Sequence, residues 1–186
     1  MKAFSNEAFR FNISISDRCY NHKPTSADYK AMSFHVENLN ADELLDKIKI
    51  GHSICHVFID NRRTKSNFMY TYTVFVDVDD STSSMEEILN GAEMKPTIAY
   101  TTFSDGKNNL HRFRLVYILD ESVNSEEDYK CLYYLFVNSL HLENIKDNCG
   151  SVTSQLMNGN SCDNIRVFCS YLIYDKNSIL QKVSLD

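Results

Sequence analysis

The sequence has little of the two residues that interrupt a chain. Five glycines and two prolines in 186 residues exclude a collagen-like repeat and a linker-like or low-complexity chain. No stretch approaches the roughly 18 apolar residues of a membrane-crossing helix. The N-terminus carries Lys2, Glu7 and Arg10 and lacks the apolar centre of a secretion signal. No two cysteines stand in CxxC spacing. The six, Cys19, Cys55, Cys131, Cys149, Cys162 and Cys169, lack the paired short steps of a zinc finger and read as reduced thiols of a cytoplasmic chain. No P-loop motif is present, so the sequence offers no Walker-type nucleotide site. Basic residues are in the minority: 19 Lys+Arg against 25 Asp+Glu give a net charge of −6. That excludes a chain coated in positive charge but leaves room for a local basic groove.

What is abundant is apolar and aromatic surface. Hydrophobic residues make up 43%, with 11 Tyr and 11 Phe, enough to bury a core and offset the ordering entropy. The length is that of one domain, or at most two small ones.

Local signals then set the order of elements. Ser16–Thr25 is polar, contains the first proline and reads as a loop. Asn40 and Glu43 form a capping-box pair for a helix over 41–50, with Gly51 at its stop. Cys55–Ile59 suits a short strand, and Asp60–Asn67 is a basic turn. Phe68–Val78 is the strongest strand signal, being crowded with aromatic and β-branched residues. Ser83 and Glu86 then stand in capping-box spacing before a short helix ending near Gly91. Strands are predicted over 97–103 and 111–119 around a turn at 104–109. Ser125 caps a long helix whose Tyr129, Leu132, Tyr133, Phe136, Val137 and Leu140 fall on one core-facing stripe. A last strand is predicted over 165–174, with a short one at the end. Strands and helices mixed in this way predict an α+β fold with a central, mostly antiparallel sheet flanked by helices.

The first chemical signal is Asp77-Val78-Asp79 at the end of the apolar strand. Residues i and i+2 share a face, about 6–7 Å apart. Two carboxylates there repel unless a cation bridges them, and oxygen-only ligands favour Mg²⁺ or Mn²⁺. A solvated strand-to-loop turn is the plainer alternative. Two chemistries use such a pair: two-metal phosphoryl transfer, and phosphatase chemistry through an aspartyl-phosphate. The string Val74–Ser81 resembles the first motif of dehalogenase-type phosphatases. The second signal is His111-Arg112-Phe113-Arg114. Arg112 and Arg114 share one face, His111 and Phe113 the other. Paired guanidiniums suit a polyphosphate or a nucleic-acid backbone, or an ion pair with a neighbouring Asp. Arg62, Arg63 and Lys65 make the densest basic spot, a candidate contact for a nucleic-acid backbone.

In order along the chain, several blocks together resemble the archaeo-eukaryotic primase superfamily. The likeness is strongest to the primase-polymerase domains of plasmid, phage and mobile-element replication proteins. The blocks are Asn61–Arg63 leading to Asn67-Phe68, the strand ending in Asp77-Val78-Asp79, Ala99–Ser104 with His111–Tyr117, and Asp147–Cys149 followed by Thr153–Gln155 and Gly159. The resemblance implies one catalytic domain over residues 1–186, the N-terminal part of a larger replication protein in many relatives, with an RRM-like core. It implies Asp77, Asp79 and Asp147 as catalytic metal ligands for Mg²⁺ or Mn²⁺. It further implies Ser104, His111, Arg112 and Arg114 as nucleotide-binding residues, and a DNA primase/polymerase activity on template, primer and nucleoside triphosphates. With no P-loop here, a helicase partner would lie on another chain or on a further part of this one. The alternatives are an inactive nucleic-acid-binding module of the same fold and the dehalogenase-type phosphatase.

Overall fold

Aromatic and β-branched residues crowd two long segments, and their pairing organises the chain. The computed structural model describes residues 9–141 and 151–183; Asp147 and Cys149 lie outside the described residues. The elements run β1 (Phe11–Cys19), α1 (Ser26–Ala31), β2 (Phe34–Leu39), α2 (Ala41–Lys49), β3 (His52–Cys55), β4 (Val57–Phe58) and β5 (Phe68–Ser81). They continue with α3 (Met85–Gly91), β6 (Ile98–Thr101), β7 (His111–Val123), α4 (Glu126–Asn138), β8 (Leu156–Asn158), β9 (Val167–Cys169), β10 (Ile173–Tyr174) and α5 (Lys176–Val183). β5 and β7 pair antiparallel down the middle of a six-stranded sheet of order β4-β5-β7-β6-β9, with β10 beside β7. Every pairing in it is antiparallel except the short β10–β7 contact. Antiparallel sheets flanked by helices make this an α+β fold, as expected.

One expectation is corrected in number. The sequence predicts one sheet; the chain builds a second, four-stranded one of order β2-β1-β3-β8. The second sheet covers the other face of the first. Val74, Val76, Val78, Phe113, Leu115 and Tyr117 pack under α3, α4 and α5. Phe75, Tyr100, Val116 and Ile118 pack instead against Phe11, Ile13, Ile15 and Ile54 of the smaller sheet and Leu44 and Ile48 of α2. Both faces of β5 are therefore buried, and its apolar run is continuous rather than alternating.

The caps follow the sequence closely. Asn40 and Glu43 exchange side-chain–backbone bonds of 3.0 and 2.9 Å at the start of α2, and Ser125 caps α4. The box before α3 is Ser84 with Glu87, one residue later than the Ser83–Glu86 spacing suggests. The last predicted strand is two pieces, parted by Tyr171 at φ 60°. The predicted final short strand is the helix α5. The predicted loop at 16–25 begins only after Cys19, because β1 continues into its first four residues. The described cysteines are free thiols. Among the described residues no helix is long and apolar enough to cross a membrane.

His56 sits where the chain leaves β3 of the small sheet for β4 of the large one. It is 1% exposed, stacks on Phe75 at 4.8 Å between ring centroids and meets Tyr129 edge-on at 4.9 Å. Its Nδ1–H donates to the Thr153 carbonyl at 2.8 Å. Burial lowers its pKa to about 4. The unfolded chain takes up this proton near pH 6.5 and the folded chain does not until about pH 4, so stability falls as pH drops through that window. His56→Phe keeps a ring and removes the titration. Urea denaturation at pH 7 and 4.5 should show the variant losing about 2 kcal/mol less than the wild type over that interval.

Candidate active site

The site begins where the inter-sheet core ends. On β5, Phe75 is the last apolar residue of that face, and alternation puts Asp77 and Asp79 next on it. Asp77 lies opposite Arg114 of β7, and Arg114 lies opposite Tyr100 of β6. These three make a polar row across the central strands. Arg114 Nε donates to Asp77 Oδ1 at 3.2 Å and Nη1 to the Asn158 carbonyl at 2.7 Å. The Tyr100 hydroxyl donates to the same carbonyl at 3.0 Å. The Arg114 and Asp77 side chains are 13% and 20% exposed. Burial opposes the guanidinium charge, but Asp77, Tyr100 and Asp79 together outweigh it and hold the Arg114 pKa above its usual value.

A bulge then re-aims the strand. Val78 pairs with Phe113, but Ser81 pairs with His111, so β5 carries one extra residue at Asp79-Asp80, opposite Arg112. Asp80 absorbs it in the left-handed region at φ 55°, a conformation that Asp tolerates better than most residues. Its carboxylate binds Arg112, whose Nη1 also donates to the Ser104 carbonyl at 2.9 Å. Both arginines are thus in ion pairs, Arg114 with Asp77 and Arg112 with Asp80.

Asp79 is the acid left open. Among the described residues it has no hydrogen-bond or ion-pair partner, and its side chain remains solvent-accessible. Partial burial, reinforced by the neighbouring Asp77 charge, raises its pKa above the usual aspartate value. A hard divalent cation would relieve that repulsion. Among the described residues no cluster of three His, Cys, Asp or Glu side chains is placed to hold a metal. Two carboxylates nevertheless fit Mg²⁺ or Mn²⁺, since Mg²⁺ commonly takes one or two carboxylates and completes its shell with water and phosphate oxygens.

The remaining expected residues divide. Ser104 lines a small cleft with Lys23, Thr102, Phe103, Arg114 and Asn158. His111 stands on the opposite face of β7 from the arginines, with Nδ1 3.3 Å from Asp105. Arg62 and Arg63 line a cavity of about 460 Å³. Arg63 and Tyr29 also line a second cavity of about 450 Å³ that reaches Asp77 and Gln155. Lys65 stands apart from these cavities, paired with Glu126 of α4 at 3.1 Å. Asp147 lies outside the described residues.

Three positions carry more than their sequence signal. Asp105, in a segment that reads as a plain turn, accepts from the Arg112 amide at 2.9 Å and from Arg166 at 2.7 Å, besides facing His111. Asn158 joins the sheets: its carbonyl holds Arg114 and Tyr100, its Oδ1 accepts from Ser53 at 2.9 Å, and its Nδ2 donates to Tyr29 at 2.7 Å. Gly159 makes that closeness feasible, because an added Cβ would stand 2.4 Å from the Ile48 carbonyl oxygen and 2.5 Å from that of His52. A sequence shows Asn-Gly-Asn here and nothing of its partners.

Comparison with solved structures finds a likeness to the AEP domain of the cyanophage S-2L primase-polymerase. The TM-score is 0.52 at 12% identity, covering 91% of this chain and 87% of that one. At that identity the likeness shows the fold. No protein-family model matches the sequence, and no curated protein matches it.

Arg114 is the charge whose loss the site can least absorb. Arg114→Met keeps much of the volume but leaves Asp77 beside Asp79 without its cation. Thermal or urea denaturation in EDTA should show a loss of about 3 kcal/mol. Millimolar Mn²⁺ should recover part of it by binding the folded acids.

Proposed function

We propose that this chain is a metal-dependent nucleotidyltransferase, a DNA primase-polymerase acting in the replication of a plasmid, phage or mobile element. The observation that carries the reading is the pair Asp77 and Asp79. They share one face at the mouth of the inter-sheet core, Asp79 open and two arginines within the same strand-end cluster. The fold likeness to a cyanophage primase-polymerase domain supports it, as does the ordered set of sequence blocks.

Asp77 and Asp79 would hold Mg²⁺ or Mn²⁺, with Asp147 as the third ligand that the family resemblance implies. When bound, such ions lower the pKa of an attacking 3′-hydroxyl and offset charge on the leaving pyrophosphate. The chain's own part is placement. Asn158 and Tyr100 fix Arg114, and Arg114 fixes Asp77, so the acid is oriented before substrate arrives. Arg112, held by Asp80 and the Ser104 carbonyl, presents charge at the other side of the acids, where a triphosphate would lie. Ser104 borders the same cleft. Asp105 secures the turn that carries Ser104 and the start of β7, and His111 belongs to that support. Arg63, which lines the cavity that reaches Asp77, and Arg62, in the cavity that shares Arg63 and Tyr29 with it, are the proposed contacts for template or primer phosphates.

The antiparallel neighbours of β5 disfavour the phosphatase alternative, which needs a parallel sheet with alternating helices. The inactive-module alternative draws on the ion pairs that already occupy Arg112 and Arg114. One assay separates these readings: incorporation of nucleotides on a primed and an unprimed template with Mg²⁺ or Mn²⁺. The wild type should extend, and Asp77→Ala/Asp79→Ala should lose at least about a hundredfold, as expected when transition-state electrostatics are removed. DNA binding without any incorporation by the wild type would support the inactive module instead.

A further inference from the structure

The arginines nearest the acids are matched by fixed partners. Arg114 is taken by Asp77 and the Asn158 carbonyl, Arg112 by Asp80 and the carbonyls of Ser104 and Lys107. A polyphosphate arriving there brings more negative charge than these pairs leave uncompensated. It needs a cation with no acid of its own.

Lys23 meets that description. It lies in the connector between β1 and β2, is exposed, and among the described residues has no hydrogen-bond or ion-pair partner. Yet it is not a remote surface lysine. It lines the same small cleft as Thr102, Ser104, Arg114 and Asn158. The connector that carries it is tied on both sides of Lys23. The Tyr20 amide donates to the Gly51 carbonyl at 2.9 Å, and Ser161 Oγ donates to the Tyr20 carbonyl at 3.1 Å. Beyond Lys23, Thr25 and Asp28 close a capping box, and the Tyr29 hydroxyl accepts from Asn158 Nδ2 at 2.7 Å. Asn158 is also the residue whose carbonyl holds Arg114. The backbone around Lys23 is therefore referenced to the same point as the acid site, while its side chain has no partner among the described residues. A flexible stem ending in a compact ammonium with three donors suits the outer oxygens of a polyphosphate.

We propose that Lys23 is a phosphate-binding residue of this site, taking the outer phosphates of an incoming nucleoside triphosphate from the β1–β2 connector. The proposal rests on the nucleotide reading above. Calorimetry with the Mn²⁺-loaded full chain, without DNA, tests it using a nucleoside triphosphate and its monophosphate. Lys23→Ala should weaken the triphosphate about tenfold or more, equivalent to about 1.4 kcal/mol, and change the monophosphate by less than about twofold. Lys23→Arg should restore most of the difference, and an unchanged melting temperature shows that the exposed substitution has not disturbed the fold. Equal triphosphate binding by Lys23→Ala and wild type overturns the proposal, as does an equal loss for both ligands. A wild type that binds triphosphate through Lys23 but incorporates nothing overturns the polymerase reading and leaves Lys23 standing. A wild type that binds no triphosphate overturns both.

Discussion

A guanidinium can be buried beside an apolar layer when its charge and its donors are matched, and Arg114 is matched from two sheets. Asp77 on the neighbouring strand supplies the charge, and the Asn158 carbonyl, carried by the last strand of the smaller sheet, supplies the acceptor. Tyr100 completes the row by donating to that same carbonyl. The relative placement of the sheets and the orientation of the first acid are therefore one problem with one solution. The apolar layer from Phe11 to Ile173 presses the sheets together, and the Arg114 contacts settle what that layer ends in.

The two acids then differ through their surroundings. Asp77 is neutralised from within the fold, while Asp79 meets water and has no partner among the described residues. The bulge preserves the difference. Without the extra residue, Asp80 would not reach Arg112 in its present conformation, and Arg112 would be available to Asp79. A net charge of −6 argues against indiscriminate attraction to a polyanion. The cations of the proposed reading are few and local: Arg112 and Arg114 beside the acids, Arg62 and Arg63 at the cavities, Lys23 at the small cleft, and any ion the acids would hold.

The parts of the fold that were legible in the sequence are those with a local cause. β5 and β7 announce themselves by composition, α2 and α4 by their caps, and the α4 core stripe by spacing. The Asp77–Asp79 pair was legible for the same reason, since i and i+2 on a strand share a face whatever the rest of the chain does. The smaller sheet was not. β1 does alternate, Phe11, Ile13 and Ile15 against Asn12, Ser14 and Ser16, but only over six residues, and it buries Ser14 and Ser16 as well; β2 is buried mainly at its two ends, Phe34 and Leu39, and does not alternate. Tyr171 breaks the last strand with no glycine or proline to mark it. Nor does a sequence say that Arg114 would meet Asp77 across the sheet, or that Asn158 would arrive from the far end of the chain, because those are facts of register and topology. Lys23 and Tyr29 belong to this class too: an ordinary polar stretch comes to lie beside Arg114 and Asn158 through what it is laid against.

β8 follows almost the whole of both sheets in chain order, yet it pairs with β3 and so closes an edge opened about a hundred residues earlier. During synthesis the β1–β2–β3 ribbon must wait with that edge unpaired until Leu156–Asn158 has emerged, and an unpaired edge is a template for the wrong partner. The polar triplet Asn158-Gly159-Asn160 that ends the wait also carries the acceptor for Arg114. Closing the vulnerable edge and aiming the first acid are thus the same late event, and a chain that has not finished folding cannot already hold a finished site.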